Sequence, residues 1–323
     1  MRALICDEYT GIDNLRFGEL PDPTPKPGSA LIEVEAAAVG FADSLVVAGL
    51  YQMRPDLPFA PGSEAAGTVL ATGGIDGIAP GDRVCGFVGF GGLAERALMP
   101  ANAIVRLPES ISFDTGAAIP VSYGTSYHAL VDRARLEAGE DLLVLGASGG
   151  VGLAAVQIGK ALGANVIAAV SSAAKAEAVR DAGADHVIRY DEVPLRDGIA
   201  EVTNGAGVDV VYDPVGGEST EHALRSTKWN GRLLVVGFAA GQIPSIPINL
   251  TLVKGNAIIG VFWGRHYMEQ PDENERNFRQ IMTWVEDGTL SPLIQKVFPL
   301  EDGAEAIRWV AERKAIGRVV VKP

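Results

Sequence analysis

The chain of 323 residues carries 27 lysines and arginines against 40 aspartates and glutamates, which gives a formal net charge of −13. A surface this acidic repels phosphate backbones and argues against nucleic acid as a partner, while the length suggests two domains. With two cysteines and no apolar run long enough to span a bilayer, neither a disulfide framework nor a membrane protein is expected, and we predict a cytoplasmic location.

The N-terminal segment 1–120 is predicted to be rich in strands and turns. Prolines crowd residues 21–28 and exclude a helix or a central strand there. Alternating polarity over residues 30–36 predicts a half-buried strand. Further short strands are predicted between turn signals at residues 62–69, 82–88 and 92–99. Together these signals predict a small β-barrel or β-sandwich domain.

From about residue 115 onward, helix and strand signals alternate. An apolar run at residues 141–145 ends in glycine, a helix is predicted over 151–162, and a buried strand over 165–170. The later elements are predicted helices at 173–182, 280–286 and 304–313 and predicted strands at 186–190, 208–212, 232–236 and 318–321. Apolar strands that alternate with helices predict a parallel sheet that is covered by helices on both faces.

A glycine-rich turn joins the first of these strands to the first of these helices. Gly146, Gly149 and Gly152 stand in the order Gly-x-x-Gly-x-x-Gly, which differs from the usual Gly-x-Gly-x-x-Gly of dinucleotide sites. Glycines let a backbone approach a ligand closely, and a helix N-terminus offers free N–H groups and a partial positive charge. The turn therefore predicts a pyrophosphate site, with a tight turn that only packs on the sheet as the alternative.

The end of the second strand indicates which dinucleotide would bind. A site for NAD carries an acid at this place, about 20 residues after the glycines, to hold the ribose 2′-hydroxyl. Here Ser171 and Ser172 follow the strand, and Lys175 comes within a turn. Hydroxyls and a lysine suit a 2′-phosphate, so we predict NADP(H); the alternative is that the serines only cap the next helix.

The inventory of possible metal ligands is small. Zinc sites use thiolates and imidazoles, four in a structural site and three in a catalytic one. No histidine stands at ligand spacing from a cysteine; the residues concerned are His128, His186, His222, His266, Cys6 and Cys85. We therefore predict no metal site, and a zinc cluster built from these residues is the less favoured alternative.

Several segments resemble the zinc-independent NADPH:quinone oxidoreductases and ζ-crystallins of the medium-chain dehydrogenase/reductase superfamily. The turn at 145–152 and the segment 160–164 are similar to the nucleotide-binding stretch of that family. The other similar segments are residues 43–45, 49–51, 57–67, 124–127, 184–188 and 211–217. The resemblance covers nearly the whole chain.

This resemblance implies a fold of the α/β class with two parts. A GroES-like β-barrel domain would comprise residues 1–123, completed by residues 264–323, and a Rossmann-type doubly wound parallel sheet would comprise residues 124–263. The nicotinamide would lie in the cleft between the two domains. Zinc-dependent relatives have Gly-His-Glu where this chain has Gly62, Ser63 and Glu64, so the metal-binding histidine is absent.

The resemblance also implies which residues contact NADPH. The matching positions are Gly149, Gly150 and Val151 for the pyrophosphate, Ser171, Lys175 and Tyr190 for the 2′-phosphate and adenosine, Thr125 for the nicotinamide ribose, and Phe238, Val261 and Phe262 for the walls of the groove. For Phe238 and Phe262, an ordinary position in the hydrophobic core is the alternative.

One position departs from the family pattern. The family has Asn in a Val-Asn-Phe-x-Asp segment, whereas this chain has Gly40 between Val39 and Phe41. Glycine has no amide that could bind a cofactor or a substrate carbonyl, so any polarising role there is lost or passes to water. The choice of substrate therefore follows less directly from the resemblance.

The function that we predict is hydride transfer from NADPH to a quinone or an enone, without zinc. Such conjugated carbonyl compounds accept hydride with little acid assistance because their own carbonyl group delocalises the charge, so the enzyme mainly orients and shields the reactants. Tyr51 and Tyr127 are candidate proton donors, each with an apolar wall as the alternative role. Solvent is a further source of the proton.

Three other functions stay open on the sequence. An enoyl- or acryloyl-CoA reductase would need basic residues for the CoA phosphates, and Arg54 and Arg265 are candidates. A non-enzymatic NADPH-binding protein of the crystallin type would bind without turnover, and a zinc alcohol dehydrogenase would contain metal. In each case the partner is a small molecule. A hydrophobic edge strand at 257–262 would pair across a homodimer, unless it lies inside the sheet.

Overall fold

The computed structural model describes residues 1–323 and divides them between two units. The first unit contains residues 1–121, 271–275 and 292–323, and the second contains residues 122–270 and 276–291. Each helix of the chain is too short or too polar to cross a membrane.

Short strands dominate the N-terminal part of the first unit. In chain order its elements are β1 (Arg2–Ile5), β2 (Arg16–Glu19), β3 (Ser29–Val39), α1 (Phe41–Val47), β4 (Glu64–Thr72), β5 (Arg83–Phe87), β6 (Arg96–Pro100), β7 (Ile104–Arg106) and α2 (Phe113–Ala118). Over the first half of β3 every second side chain is buried, namely Ala30, Ile32 and Val34. The predicted half-buried strand is thus confirmed.

Strands and helices alternate through the rest of the chain. The elements up to residue 213 are α3 (Pro120–Tyr127), a π-helix (His128–Arg133), β8 (Asp141–Leu145), α4 (Gly150–Ala161), β9 (Asn165–Val170), α5 (Ala173–Asp181), β10 (His186–Arg189), α6 (Leu195–Val202) and β11 (Val208–Asp213). Those that follow are α7 (Glu218–Arg225), β12 (Thr227–Val235), α8 (Asn249–Lys254), β13 (Ala257–Gly260), α9 (Trp263–Glu269), α10 (Pro271–Glu286), β14 (Ile294–Pro299), α11 (Gly303–Ala311) and β15 (Arg318–Lys322).

The sheet of the first unit joins both ends of the chain. Its strand order is β14-β15-β3-β4-β5-β7, and β6 also pairs with β3. Strand β15 runs antiparallel to β3, with Val319 opposite Val39. Val34, Leu93 and Phe298 share one buried hydrophobic cluster, so residues from both ends of the sequence build a single core. The GroES-like part of the fold, completed by C-terminal residues, is confirmed.

The second unit contains a six-stranded parallel sheet. Its strand order is β10-β9-β8-β11-β12-β13, so the first strand of the unit lies in the middle of the sheet. This is the 3-2-1-4-5-6 order of a Rossmann fold. The first three strands are added toward one edge of the sheet and the next three toward the other, so the order reverses between β8 and β11. The interior of β8 is apolar on both faces, because helices cover the sheet on both sides. The predicted doubly wound sheet is confirmed.

A few elements differ from the sequence-based expectation. Helices α1 and α8 were not predicted, since neither exceeds seven residues, which is too short a stretch to establish a helical pattern. Helices α6, α7 and α9, of seven or eight residues each, were not predicted either. Helix α10 begins at Pro271, well before the predicted start at residue 280, because proline fits the first turn of a helix.

The helix α10 also bears on the division of the chain. Residues 276–291 group with the second unit, whereas we placed them with the barrel domain. Within the second unit, the ring of Phe278 lies 6.1 Å from that of Trp263, and the ring of Trp284 lies 5.8 Å from that of Tyr127. The aromatic side of α10 therefore packs on the Rossmann-like unit. The domain boundaries that we gave above stay a prediction.

Candidate functional site

The glycine-rich turn follows β8 directly and leads into α4. Gly146 has a φ of +56°, a left-handed conformation that residues with side chains rarely adopt, and a Cβ there would lie 2.8 Å from Val215 Cγ2. A Cβ at Gly152 would lie 2.3 Å from the Gly146 carbonyl oxygen and 2.9 Å from the Ala147 Cα. The backbone geometry of the turn therefore requires the first and the third glycine.

The N-terminus of α4 presents backbone donors. Gly149 caps the helix without a side-chain hydrogen bond, and Leu153 N donates to Gly149 O at 2.8 Å. The N–H groups that precede Leu153 have no acceptor inside the helix. Gly149, Gly150 and Val151 are only half-buried, and a Cβ on Gly149 would meet no atom closer than 3.5 Å. Accessible N–H groups at the positive end of a 12-residue helix suit a pyrophosphate.

A buried hydroxyl pair ties this helix to its neighbours. Ser126 Oγ donates to Val151 O at 2.8 Å, and it also lies 2.8 Å from the hydroxyl of Tyr212 on β11. Since the serine has one proton, the tyrosine must donate to it. Burial raises the pKa of Tyr212, which keeps that proton in place. Thr125 precedes Ser126 on α3, and its contact with the nicotinamide ribose stays a prediction.

The carboxyl end of β9 brings the predicted phosphate ligands together. Lys175 Nζ lies 3.3 Å from Ser171 Oγ, and the backbone N–H of Lys175 donates to Ser172 Oγ at 3.4 Å. Ser172 therefore caps α5, while Ser171 and Lys175 present a hydroxyl and an ammonium group side by side. Tyr190 follows the neighbouring strand β10, where its N–H donates to Val170 O at 3.1 Å. Its ring is exposed, which suits a stacking partner for an adenine.

Asp213, at the end of β11, organises the neighbouring turn, and sequence reasoning gave it no role. Its carboxylate is buried and accepts the N–H groups of Val215 at 2.8 Å and Gly216 at 2.9 Å, and the hydroxyl of Thr220 at 2.5 Å. These bonds hold Val215 against the Gly146 turn across the reversal point of the sheet. Asp213 lies in the segment 211–217, which resembles the quinone oxidoreductase family, and this resemblance could have identified it.

The three predicted wall residues follow the next two strands. Phe238 comes after β12 and lies against Gly216, where a Cβ would be 2.9 Å from Phe238 Cδ1. Val261 is buried after β13, and its N–H donates to Val235 O at 3.0 Å. Phe238 and Phe262 are 38% and 53% exposed, so neither is an ordinary core residue within its own unit.

The two candidate proton donors have different surroundings. Tyr51 is half-buried in the first unit, and burial, together with the nearby Asp43, raises the pKa of its phenol. Tyr127 is buried at the end of α3 against Trp284, and burial, together with Asp132, raises its pKa as well. Both phenols therefore stay protonated at neutral pH. The tryptophan contact gives Tyr127 the surroundings of an apolar wall.

Gly40, the departure from the family pattern, occupies the N-cap of α1. Its N–H donates to Asp43 Oδ2 at 2.7 Å, and its φ of −114° is open to any residue. A Cβ there would meet only Asp43 Oδ2, at 3.7 Å. Lack of space does not explain the missing asparagine, and nothing in the structure does.

The two arginines considered for CoA phosphates make local contacts. Arg54 donates to the carbonyl oxygen of Gly49 and lies over the ring of Tyr9, with its guanidinium 5.8 Å from the ring centroid. Arg265 pairs with Glu269 on the same helix, at 3.3 Å. Each guanidinium therefore has a partner of its own.

A buried ion pair lies in the sheet of the first unit. Glu64 of β4 pairs with Arg318 of β15 and accepts the Val121 N–H at 2.8 Å. Burial raises the pKa of Glu64 to about 7 and that of Asp43 to about 6, and the positive charge of Arg318 opposes both shifts. The two acids share one arginine in an interior that disfavours their ionised forms.

This cluster predicts how stability depends on pH. Because the folded state holds protons on Glu64 and Asp43 more tightly than the unfolded chain does, the free energy of unfolding should fall as pH rises from about 4.5 to about 7. The contribution is at most about 1.4 kcal/mol per pH unit for each group. Urea unfolding at several pH values should give a shallower fall for Glu64→Gln than for the wild type. Equal slopes would contradict the prediction.

Two family models match the chain. The alcohol dehydrogenase GroES-like domain matches residues 26–109, and the zinc-binding dehydrogenase domain matches residues 150–285. The first range lies in the sheet of the first unit, and the second begins at the N-terminus of α4. Both matches agree with the division into a GroES-like and a Rossmann-like part.

Curated relatives and solved structures cover the whole chain. The quinone oxidoreductase-like protein 2 of Bos taurus is 38% identical over 322 residues, which is 99% of this chain and 92% of the relative. The quinone oxidoreductase of Homo sapiens is 34% identical over 309 residues, 95% of this chain and 92% of the relative. The Escherichia coli quinone oxidoreductase complexed with NADPH is 28% identical, with a TM-score of 0.92 over 100% of both chains.

Sequence identity at this level over nearly complete chains, combined with the fold of both units, settles the classification. The resemblance of the glycine-rich turn and the later motifs is thereby confirmed. The chain belongs to the quinone oxidoreductase family of the medium-chain dehydrogenase/reductase superfamily.

Proposed function

We propose that the chain is an NADPH-dependent oxidoreductase that delivers hydride to a quinone or another conjugated carbonyl compound without a metal. The observation that carries this proposal is the pairing of two anion-binding features at adjacent strands. An uncapped helix N-terminus follows β8, and Lys175 stands beside Ser171 at the end of β9. The NADPH complex of the Escherichia coli relative supports the same cofactor.

The residues at these strand ends fit a dinucleotide phosphate. Gly149, Gly150 and Val151 would contact the pyrophosphate; the N–H groups of Gly150 and Val151, which have no acceptor inside the helix, would donate to it, whereas the Gly149 N–H already donates to Gly146 O at 3.1 Å. Ser171 and Lys175 would hold the 2′-phosphate, since no carboxylate stands at that place to repel it. The other contacts that we propose are made by Thr125, Tyr190, Phe238, Val261 and Phe262.

When bound, NADPH supplies the hydride. The protein orients the two reactants and supplies the proton. A quinone or enone needs little acid assistance, since its own conjugation spreads the charge that the hydride brings. The phenol of Tyr51 keeps its proton at neutral pH and is the donor that we favour for the resulting oxyanion. Tyr127, packed on Trp284, is the second candidate, and solvent is the third.

The residue types argue that catalysis uses no zinc. Ser63 stands where zinc-dependent relatives carry histidine, and a hydroxyl is a poorer zinc ligand than an imidazole. The thiols of Cys6 and Cys85 are both buried, and burial raises the pKa of Cys85 to about 12, so it stays protonated.

A screen of acceptors tests the function. Initial rates of NADPH oxidation would be measured with quinones, enones and enoyl-CoA thioesters, with and without a chelator added just before the assay. We expect turnover of a quinone or enone at a rate that the chelator does not change. A preference for enoyl-CoA would select the reductase alternative, NADPH binding without turnover would select a crystallin-like role, and loss of activity with chelator would refute the metal-free mechanism.

We propose that the protein forms a homodimer through β13. This strand ends the six-stranded sheet, so the alternative of a buried inner strand does not apply. Its free edge can pair with the same edge of a second copy. Large apolar side chains close to it in sequence are exposed, among them Ile248, Leu252 and Val253. A second copy would cover them.

Charges on this surface should separate the subunits. The double substitution Leu252→Asp and Val253→Asp adds two buried, unpaired carboxylates to each side of such an interface. Sedimentation should show a dimer for the wild type and a monomer for the variant. The matched control is Val193→Asp, an exposed apolar site in the same unit, which should stay dimeric. A monomeric wild type, or a double variant that remains dimeric, would refute this interface.

The two thiols also suit the location that we propose, the cytoplasm. Both Cys6 and Cys85 are free and buried, so they form no disulfide with each other. Free thiols are usual in reducing compartments and uncommon in oxidising ones. The proposal would be tested by locating a tagged chain in cells.

A further inference from the structure

Three side chains with metal-binding groups meet in the interior of the second unit, apart from the glycine-rich turn. His128 begins the π-helix and Asp132 lies one turn later, with His128 Nδ1 2.8 Å from Asp132 Oδ2. His266 comes from α9, and its Nε2 lies 3.7 Å from the same oxygen. One ligand atom from each of the three lies within 4.8 Å of the others. Both histidines are buried, at 7% and 6% exposure.

Other residues hold these three side chains in place. Asn277 Nδ2 donates to Asp132 Oδ2 at 2.8 Å, and the Oε1 of Gln270 lies 3.0 Å from His266 Nδ1. The two imidazole rings stack with their centroids 3.9 Å apart. Metal-binding histidines commonly use their second nitrogen in this way, to bond an oxygen that fixes the ring orientation.

Ligand atoms of both histidines face one carboxylate oxygen, Asp132 Oδ2. If His266 Nδ1 donates to Gln270, its Nε2 turns a lone pair toward that oxygen, and a metal ion between the two atoms would bind both. A single metal ion would use one nitrogen of each imidazole and the carboxylate at once.

We propose that His128, Asp132 and His266 bind a divalent metal ion of the zinc type. Two imidazoles and a carboxylate are ligands that zinc accepts, and water can complete a four-coordinate site. Ligand atoms around a tetrahedral zinc stand about 3.4 Å apart, given bonds of roughly 2.1 Å. The observed separations of 2.8 Å and 3.7 Å lie on either side of that value. Because the stacked rings lie in nearly parallel planes, one imidazole would turn out of the stack to direct both lone pairs at the ion.

The role of this ion would be structural. It would join the π-helix to α9, whose imidazole rings already stack. π-helical turns are rare and are often kept at functional positions, which agrees with a ligand at this one. The sequence-based prediction of no metal site is revised by this proposal, whereas metal-free hydride transfer is not affected by it.

Metal titration of the full-length protein tests the proposal. After dialysis against a chelator, Zn²⁺ would be titrated in competition with a chromophoric indicator, and Co²⁺ would be added separately to record its visible absorption. We expect one Zn²⁺ per chain, the absorption bands of four-coordinate Co²⁺, and a midpoint of thermal unfolding raised by several degrees at saturation. The proposal would be overturned if Zn²⁺ binding did not saturate, or if several ions bound each chain weakly, as on a nonspecific surface.

Variants assign the ion to these residues. His128→Gln and Asp132→Asn should each weaken Zn²⁺ binding by at least about 100-fold, while His186→Gln, an exposed histidine outside the cluster, should leave it unchanged. Asn277→Ala removes only the bond that orients Asp132 and should weaken binding by about 10-fold; it keeps the test valid if the ligand variants do not fold. Unchanged affinity in folded His128→Gln or Asn277→Ala protein would overturn the proposal.

Discussion

Replacing Lys175 with glutamate should raise the KM for NADPH by at least about 100-fold and leave the KM for NADH within a factor of about three. The lysine ammonium lies beside Ser171 Oγ at the end of β9, where the 2′-phosphate would bind. Loss of a charged hydrogen bond costs about 1.5–3 kcal/mol, and the new carboxylate adds repulsion toward the phosphate. NADH has no 2′-phosphate, so neither effect changes its binding. Steady-state kinetics with both cofactors measures the difference.

The matched control for this variant is Arg180→Glu. Arg180 lies in the last turn of the same helix, α5, and is exposed, so the change in net charge is identical. We expect Arg180→Glu to change the KM values for NADPH and NADH little. That result would show that the effect of Lys175→Glu is local. Equal increases for NADPH and NADH in Lys175→Glu would contradict the assignment of the 2′-phosphate site.

Alanine at Gly152 should abolish NADPH binding and destabilise the fold. Its Cβ would lie 2.3 Å from the Gly146 carbonyl oxygen and 2.9 Å from the Ala147 Cα, and both are backbone atoms that cannot turn away. The turn would have to move off α4, at a cost that we place at about 3 kcal/mol in unfolding free energy. Affinity for NADPH, measured by nucleotide fluorescence, should fall by more than about 100-fold.

Gly149→Ala gives the comparison within the same turn. A Cβ there would meet no atom closer than 3.5 Å, and the φ of −77° suits alanine. The free energy of unfolding should change by less than about 1 kcal/mol. If Gly152→Ala were as stable as Gly149→Ala and bound NADPH normally, the close packing of the turn would not be what presents the helix N-terminus.

The sequence predicted the parts of the fold that depend on local pattern. The apolar run at 141–145, the glycines after it and the helix that follows are contiguous, so the turn and its sheet could be recognised together. Lys175 and Ser171 lie within one helical turn, and their meeting could be expected from spacing alone. Short elements such as α1 were missed because seven residues, about two turns, are too few to establish a helical pattern.

Contacts between distant segments could not be predicted in this way. The hydroxyls of Ser126 and Tyr212 pair although many residues separate them in the sequence. No sequence motif has a spacing that predicts this contact. The same holds for the histidines: His128 and Asp132 are neighbours on one helix, but His266 reaches them only through the packing of α9. Counting ligands along the chain therefore missed the cluster.

Direct titration of the purified protein with NADPH and with NADH tests the central claim, that the N-terminus of α4 binds the pyrophosphate of NADPH and the Lys175 side chain binds its 2′-phosphate. We expect saturable binding of NADPH, one per chain, and at least about 10-fold weaker binding of NADH. Equal affinities, or the lack of any saturable complex with NADPH, would contradict it.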